Sequence, residues 1–347
     1  MRYCGFDVGG SSSYACVQDK RGAKLWAGWV PMTPDELKNF VQLHGPDLQI
    51  ALEAGNQTAW VHDVLVAAGA AVTVVHPKRV KLIAESRSKT DKIDAKMLCD
   101  LLRLEGLPTP VHMPGVETRG LRGLLAARRK LIQSRTGLCN MVRGMLRQEG
   151  TQLPAGALSS RAGWQRVFAK GFEHDHLLHI VASFHQVFLT MCKAVREMDV
   201  QLAEYERKLA AARRLQTMPR VGRIAALTCV AAVDNVRRFS SSRKLVSYSG
   251  LAPTVRQSGS RTTHGSITRE GRRELRSVWV QIAHQVVRDK SPATQPLRTW
   301  YRRVAGKRGK KTALVALTRR LLVIAYQLLK METDYDVSRL RKKRRAA

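Results

Sequence analysis

The sequence lacks the features that mark membrane and secreted proteins, and it is short of acidic residues. No apolar run approaches the roughly 20 residues that a membrane-spanning helix needs, and the N-terminus lacks the apolar stretch of a signal peptide. Only 27 residues are Asp or Glu against 60 Lys and Arg, which gives a formal net charge of +33. We therefore expect a cytoplasmic protein with no membrane partner, whose basic surface binds nucleic acid.

The six cysteines also lack the spacing of a structural site. None of them forms a Cys-x-x-Cys pair, and they are scattered along the whole chain. This pattern excludes a zinc ribbon and a disulfide framework, and it is typical of reduced thiols in a cytosolic protein.

The excess of positive charge is unevenly distributed. Residues 1–110 hold 13 Lys and Arg and 12 Asp and Glu, whereas residues 111–347 hold 47 and 15, a net charge of +32. A chain of 347 residues is long enough for two or three domains. The distribution predicts a near-neutral domain carrying an active site, followed by a cationic part that holds nucleic acid.

The first hundred residues alternate strand and helix patterns. Three predicted strands in a meander come first, and helices then alternate with two further strands. The predicted strands are Tyr3–Val8, Tyr14–Gln18, Lys24–Val30, Leu48–Glu53 and Ala71–His76. The predicted helices are Pro34–Leu43, Thr58–Ala68 and Thr90–Leu104. This order favours an α/β domain of the ribonuclease-H-like class over pure βαβ alternation.

Long helices are predicted beyond Pro110. Apolar residues recur at helical spacing over residues 121–146, and a second helix is predicted from about 175 to 215. Within the second helix a short heptad seam is formed by Met191, Val195, Met198, Leu202, Tyr205 and Leu209. Packing within the chain and dimerisation through a coiled coil are both compatible with a seam of this length.

The last third of the chain is predicted to be mainly helical and to bind phosphate. Its first segment, Met218-Pro-Arg-Val-Gly-Arg, resembles the turn of a helix-hairpin-helix, although Arg220 stands where glycine is common. We expect Arg220, Gly222 and Arg223 to contact nucleic acid. A helix is predicted at Arg269–Arg288, and the basic residues at the C-terminus predict a phosphate-binding tail.

Four acidic residues of the near-neutral segment form a candidate metal site. Asp7 follows the first strand, Glu53 ends a later one, and Asp91 and Asp94 lie three apart at the start of a predicted helix, on one face. Four carboxylates brought together would repel one another unless divalent cations lay between them. Oxygen ligands suit Mg²⁺, and two such ions clamp the attacking and leaving oxygens of a phosphodiester.

Other interpretations of these residues stay open at this point. An acid after a strand is usually a turn residue, and an acid at a helix start usually pairs with the helix dipole. The turn after Asp7, Gly-Gly-Ser-Ser, also begins the ATP-binding sugar kinases, which share the same core. The +32 remainder favours nucleic acid, and Lys89 and Lys92 would add phosphate-binding charge beside the helix acids.

Several segments together resemble the insertion-sequence 110/1111 transposases and the related Piv invertases. The N-terminal segments are Gly5-Phe-Asp-Val, Ala51-Leu-Glu-Ala-Gly-Asn and Ser88-Lys-Thr-Asp-Lys-Ile-Asp-Ala. The C-terminal segments are Tyr248-Ser-Gly-Leu-Ala-Pro, Gln257-Ser-Gly and Gly265-Ser-Ile-Thr-Arg-Glu-Gly-Arg-Arg-Glu-Leu-Arg. They occur in the family's order over nearly the whole chain.

The resemblance implies a domain plan and a mechanism. It implies a RuvC-like domain at 1–113, a coiled-coil region at 114–215, a C-terminal transposase domain at 216–331 and a basic tail at 332–347. It also implies that Ser258 is the nucleophile of an RNA-guided DNA recombinase with a phosphoserine intermediate. Its partners would be donor and target DNA, a non-coding guide RNA and further copies of the chain in a dimer or tetramer.

From the residues alone, Ser258 is a serine in a Gly/Ser-rich loop between Arg256 and Arg261, which we expect to bind nucleic acid. Ser249, Ser260 and Ser266 are alternatives that spacing does not exclude. A nuclease that hydrolyses DNA junctions with water is the alternative function.

Overall fold

A computed structural model describes residues 1–83, 90–172, 174–258 and 261–340 of the chain. It divides the chain into two compact units, Met1–Pro114 and Gly115–Ala347. The finer division of the second unit at residues 215 and 331 remains a prediction.

The first unit is built on a mixed five-stranded sheet. Its strands are β1 (Arg2–Asp7), β2 (Ser12–Gln18), β3 (Lys24–Pro31), β4 (Leu48–Glu53) and β5 (Ala71–Val75), in the order β3-β2-β1-β4-β5. The β1–β2 and β2–β3 pairs are antiparallel, whereas β4 is parallel to both β1 and β5. The predicted strands are confirmed, and the arrangement is consistent with the ribonuclease-H-like order.

Helices cover both faces of this sheet. They are α1 (Pro34–His44), α2 (Thr58–Ala67), α3 (Pro77–Val80) and α4 (Asp91–Arg103). Side chains alternate along a strand, so Ile50 and Leu52 join the core with α1 and α2, while Ala51 joins Leu98 of α4 in a second apolar cluster. The predicted helices are confirmed, including the Thr33 cap of α1, whose hydroxyl accepts from Glu36 N.

Helix α4 lies unusually close to β1 at a glycine. A Cβ on Gly5 would overlap the backbone carbonyl of Ala95 and the backbone amide of Cys99. Ala95 and Cys99 are fully buried, and the Cys99 thiol donates to the carbonyl of Tyr3 across 3.1 Å. The missing side chain therefore lets the backbone of α4 rest on the strand that ends in Asp7.

The second unit is mainly helical. Its helices are α5 (Val116–Gln148), α6 (Arg161–Ala169), α7 (Asp175–Lys208), α8 (Ala210–Gln216), α9 (Arg223–Val233), α10 (Ser242–Tyr248), α11 (Arg273–Arg288), α12 (Gln295–Arg308) and α13 (Lys310–Met331). Two strands, β6 (Pro253–Ser258) and β7 (Arg261–Ile267), form an antiparallel hairpin between α10 and α11. This hairpin was not among the predicted elements. Helix α11 begins at Arg273, four residues later than predicted.

Helices α5 and α7 pack side by side in opposite directions. Arg128 near the start of α5 pairs with Asp199 near the end of α7, at 2.6 Å, and Leu146 at the far end packs with Leu177. The single helix predicted from about 175 to 215 was wrong, because the chain leaves helical geometry at Leu209 (φ −98°, ψ 94°) before α8 begins.

The predicted heptad seam is partly interior. Leu202 is fully buried in the main core of the unit, and Tyr205 and Leu209 pack against the same core beside helices α9, α11 and α13. For these three residues the interpretation as packing within the chain is confirmed.

By length and composition alone, α7 and α13 are long and apolar enough to cross a membrane, although no such run was expected from the sequence. Leu321 and Leu322 of α13 are fully buried in the main core, which is the position of an interior helix.

Candidate active site

Asp7 and Glu53 line one cleft at an edge of the five-stranded sheet. Strands β1 and β4 are parallel neighbours with Phe6 opposite Leu52, so the next residue of each strand leaves the sheet at the same edge. The cleft has a volume of about 350 Å³ and lies between the turn 8–10 and the turn 54–57. Of the four acids predicted to form one site, these two line the same cleft.

The turn after Glu53 is fixed from behind by Thr58. The Thr58 hydroxyl donates to the carbonyl of Glu53 across 2.8 Å and accepts from the amide of Gly55 across 2.7 Å. On the open side, the amide of Gln57 donates to the carbonyl of Gly10 across 2.9 Å and so joins the two turns of the cleft. These bonds hold the Glu53 end of the strand in place.

Two lining residues were missed by the sequence analysis. Asn56 and Gln57 have amide side chains that line the cleft beside the acids. Polar residues directly after a buried strand are a signal for such a position: Asn56 is the last residue of the quoted Ala51-Leu-Glu-Ala-Gly-Asn segment, in which it was given no role, and Gln57 follows.

Asp91 and Asp94 occupy the first turn of α4, which packs on β1. Asp94 is half-buried and directly precedes Ala95, the residue that rests against Gly5. The ammonium of Lys92 lies 5.9 Å from the centre of the Tyr14 ring, and Tyr14 is the cross-strand partner of Asp7. The start of α4 therefore lies at the Asp7 end of the sheet. Lys89 lies outside the described residues.

The candidate nucleophile Ser258 lies in the second unit. It is the last residue of β6 and stands opposite Arg261, so the expected loop is the tip of a β-hairpin. Both Ser258 and Arg256 are exposed on this hairpin. Of the alternatives, Ser249 is fully buried and donates to the carbonyl of Val246 across 2.6 Å, which makes it a poor nucleophile. Ser260 lies outside the described residues.

The base of the hairpin is anchored by arginines. Arg276 donates to the carbonyl of Ser249 across 2.9 Å, and Arg272 donates to the hydroxyl of Tyr248 across 3.1 Å. Burial raises the pKa of Tyr248, but the cations Arg272 and Arg238 outweigh it and leave the pKa below its usual range. Tyr248 therefore sits in a strongly positive environment directly beneath the hairpin.

Comparisons with known proteins give two family matches and a set of relatives. A transposase family named for DEDD and IS110 matches residues 4–150, and one described as Transposase IS116/IS110/IS902 family matches residues 212–297. The transposase for insertion sequence element IS1111A of Coxiella burnetii is 25% identical over 82% of this chain and 79% of its own length. The transposase for insertion sequence element IS1328 of Yersinia enterocolitica is 23% identical over 96% and 98%.

The chain belongs to the IS110 family of transposases. It is therefore a DNA-cutting and DNA-rejoining enzyme. The pilin gene-inverting protein of Moraxella bovis is 29% identical to this transposase over 76% of the chain and 74% of its own length, which supports the predicted link to the Piv invertases.

The DEDD designation implies dependence on a divalent cation. Among the residues that the structure describes, no group of three or more His, Cys, Asp or Glu is close enough to hold a metal ion. The chemistry of the site still fits one: Asp7 and Glu53 supply hard oxygen ligands in a cleft that the side chains of Asn56 and Gln57 also line.

The Pro-x-x-Gly turn of the transposase carries an unusual arginine. Arg220 has a φ of +67°, in the left-handed region where glycine is common. The position at which the sequence has arginine in place of the usual glycine is therefore also a backbone outlier. Its guanidinium holds the buried carboxylate of Asp289 at 2.7 and 2.8 Å. Arg223 pairs with Glu206, and Gly222 caps α9. Both arginines thus have protein partners, and their contact with nucleic acid remains a prediction.

Proposed function

We propose that this transposase is an RNA-guided, Mg²⁺-dependent DNA recombinase of its own insertion sequence, acting through a covalent phosphoserine. The observation that carries the proposal is the single cleft shared by Asp7 and Glu53 in a sheet of ribonuclease-H-like order, with the helix of Asp91 and Asp94 packed on the strand of Asp7. On this proposal the first unit is RuvC-like.

The two cations of each site would be held by Asp7, Glu53, Asp91 and Asp94. The cations would position the scissile phosphate. Bound Mg²⁺ would neutralise phosphate charge and lower the barrier to displacement. The carboxylates at the start of α4 would complete the site once α4 and the strand ends close on a cation. Lys89 and Lys92 would pair with neighbouring phosphates.

Ser258 would supply the nucleophile. Its Oγ attacks the scissile phosphorus and loses its proton to a base, while the bond from phosphorus to the 3′-oxygen breaks and that oxygen takes up a proton. The products are a 5′-phosphoserine and a free 3′-hydroxyl. In the reverse step, a 3′-hydroxyl of the exchanged strand attacks the phosphoserine and the serine oxygen regains a proton. One ester replaces another at each step, so ATP is not needed.

The remaining parts of the proposal concern partners. The phosphate at Ser258 would be held by Arg256 and Arg261, which flank this serine. The nucleic acid backbone would be contacted at the Pro-x-x-Gly turn by Arg220, Gly222 and Arg223. A non-coding RNA would select donor and target DNA by base pairing, so the protein would hold shape and backbone. Dimers or tetramers would bring enough active sites together to exchange four strands.

Covalent trapping on a nicked suicide duplex tests the chemistry. With Mg²⁺ and the RNA transcribed from the element's flanking sequence, we expect wild type to form a protein–DNA adduct that migrates more slowly in a denaturing gel. Ser258→Ala and Asp7→Asn should both lose the adduct, whereas Ser266→Ala should keep it. An adduct formed by Ser258→Ala would reject Ser258 as the nucleophile, and recombination without added RNA would reject RNA guidance.

A water-dependent nuclease is the second candidate, because the acid cleft and Ser258 belong to different compact units. This function predicts cleavage without an adduct, and cleavage by Ser258→Ala at the wild-type rate. The same gel distinguishes the two functions, since hydrolysis leaves free DNA ends and no retarded band.

A further inference from the structure

The hairpin of helices α12 and α13 carries an extreme charge. Residues 295–331 contain ten Lys and Arg and no Asp or Glu. Six exposed cations lie within ten residues where the two helices meet, and we name this surface the α12–α13 corner. Its members are Arg302, Arg303, Lys307, Arg308, Lys310 and Lys311.

The corner cations differ from Arg298, Arg320 and Lys330 of the same helices, which have partners within the unit. Arg298 donates to the carbonyl of Ser291 across 3.1 Å, and Arg320 lies over the Trp300 ring at 4.9 Å. In the part of the chain that the structure describes, none of the six corner residues takes part in an ion pair. Their charge is therefore left to the solvent or to a partner.

Helix stability accounts for part of the corner only: Lys307 and Arg308 in the last turn of α12 suit the dipole of that helix, whereas Lys310 and Lys311 do not suit the dipole of α13. Lys310 and Lys311 stand in the first turn of α13, which has no acidic residue and no side-chain cap. Cations at a helix N-terminus oppose the helix dipole, so these two lysines weaken the helix that they begin. Helix α12 has a single fully buried residue, Leu297, and its outer face is left to the cations.

We propose that the α12–α13 corner is a docking surface for the phosphate backbone of duplex DNA. The six cations lie within ten residues on either side of Gly309, where α12 ends and α13 begins, and duplex DNA carries one negative charge per about 1.7 Å of its axis. An acidic protein surface rarely reaches that density of charge. DNA is the polyanion that the transposase acts on, so the inference does not depend on Ser258, on metal ions or on a guide RNA.

Salt-dependent binding of the full chain tests the surface. The probe is a duplex of about 30 base pairs that lacks the element's sequence, without RNA or Mg²⁺. Each phosphate contact contributes about 0.9 to the slope of log K against log salt concentration. The variant R302Q/R303Q/K307Q/R308Q should lower that slope by about 3 to 4 and weaken binding roughly 100-fold at moderate salt.

A charge-matched variant provides the control. K20Q/R21Q/R161Q/R166Q removes four exposed cations elsewhere, and we expect its slope to change by less than about one. The proposal is overturned if the slope of log K against log salt concentration falls equally in the two variants, because the effect would then depend on net charge and not on the position of the cations. It is also overturned if the corner variant loses affinity for an RNA duplex of the same length but not for DNA.

A second variant guards against misfolding. K310Q/K311Q removes two cations that oppose the dipole of α13, so its melting temperature should stay equal to wild type or rise. Its slope should fall by about 2. An unchanged slope in this folded variant would reject the corner as a DNA surface.

Discussion

Gly5→Ala should uncouple the two halves of the acid site, because Gly5 is the point at which α4 rests on β1. The added methyl would overlap the backbone of Ala95 and Cys99, neither of which can rotate away. Helix α4 must then move by roughly 1 Å or more to restore contact distance. That shift displaces Asp91 and Asp94 relative to Asp7, the end of the same strand.

The size of the effect follows from this displacement. Overpacking a core costs about 1–3 kcal/mol, and a clash with backbone belongs at the upper end. For a unit of this size we expect the unfolding midpoint to fall by roughly 10 °C. A misplacement of about 1 Å at a catalytic group costs on the order of 100-fold in rate, so recombination should fall by that factor even where the protein is folded.

The assay is recombination of a plasmid carrying the element's two ends, measured below the melting midpoint together with a thermal melt. Gly144→Ala is the control: Gly144 is exposed on α5 with no atom near its added methyl, so it should gain up to about 1 kcal/mol and keep full activity. Wild-type activity in a destabilised Gly5→Ala would mean that the α4 acids are dispensable. An unchanged melting temperature in Gly5→Ala would refute the close contact between α4 and β1 at Gly5.

Three further predictions concern stability and the cleft. Trp164→Ala deletes a fully buried indole and should cost about 3–5 kcal/mol in chemical denaturation. Asp289 has a pKa held well below its usual range, first by the hydrogen bond from Arg220, so its stabilisation is present above about pH 4 and is lost as the pH falls below that. In Asp289→Asn the acid limb of a stability–pH curve should therefore be shallower. Gln57→Ala breaks the bond to Gly10 and should slow recombination about tenfold at an unchanged melting temperature.

Exposed residues supply the controls for these three variants. Gln165→Ala changes the exposed residue after the tryptophan and should leave the unfolding free energy unaltered. Asp35→Asn removes a carboxylate that is 87% exposed and should not alter the acid limb. Gln42→Ala lies on the exposed face of α1 and should recombine at the wild-type rate. A tenfold loss in this last variant would mean that the Gln57 effect is not specific to the cleft.

The first unit was largely predictable because its signals are local and agree with one another. Apolar strands of five to eight residues alternate with capped helices, and the order fixes which strands are neighbours. The positions of Asp7 and Glu53 at strand ends were predicted, and the parallel pairing of β1 with β4 places both acids in one cleft. The close approach of α4 at Gly5 was not predictable, because a glycine within a strand does not indicate which element packs against it.

The second unit was less predictable because its deciding interactions are distant in sequence. The β6–β7 hairpin is polar, with no alternation of apolar residues, and the segment before it is held by a bond from α11, that of Arg276 to Ser249. The break at Leu209 has no proline or glycine to mark it. Leu209 instead packs against the main core, which turns the chain there.

Arg220 illustrates how a local rule can fail because of a contact that is distant in sequence. Its left-handed backbone costs energy that glycine would avoid, but its side chain forms an ion pair that glycine could not form. That ion pair joins Arg220 to the buried carboxylate of Asp289, which in turn accepts from the amide and hydroxyl of Ser291 at the start of the segment leading to α12. Arg220 therefore connects the Pro-x-x-Gly turn to the segment that leads into α12, one of the two helices of the α12–α13 corner. A glycine at this position would relax the turn but would leave the carboxylate of Asp289 without its cation.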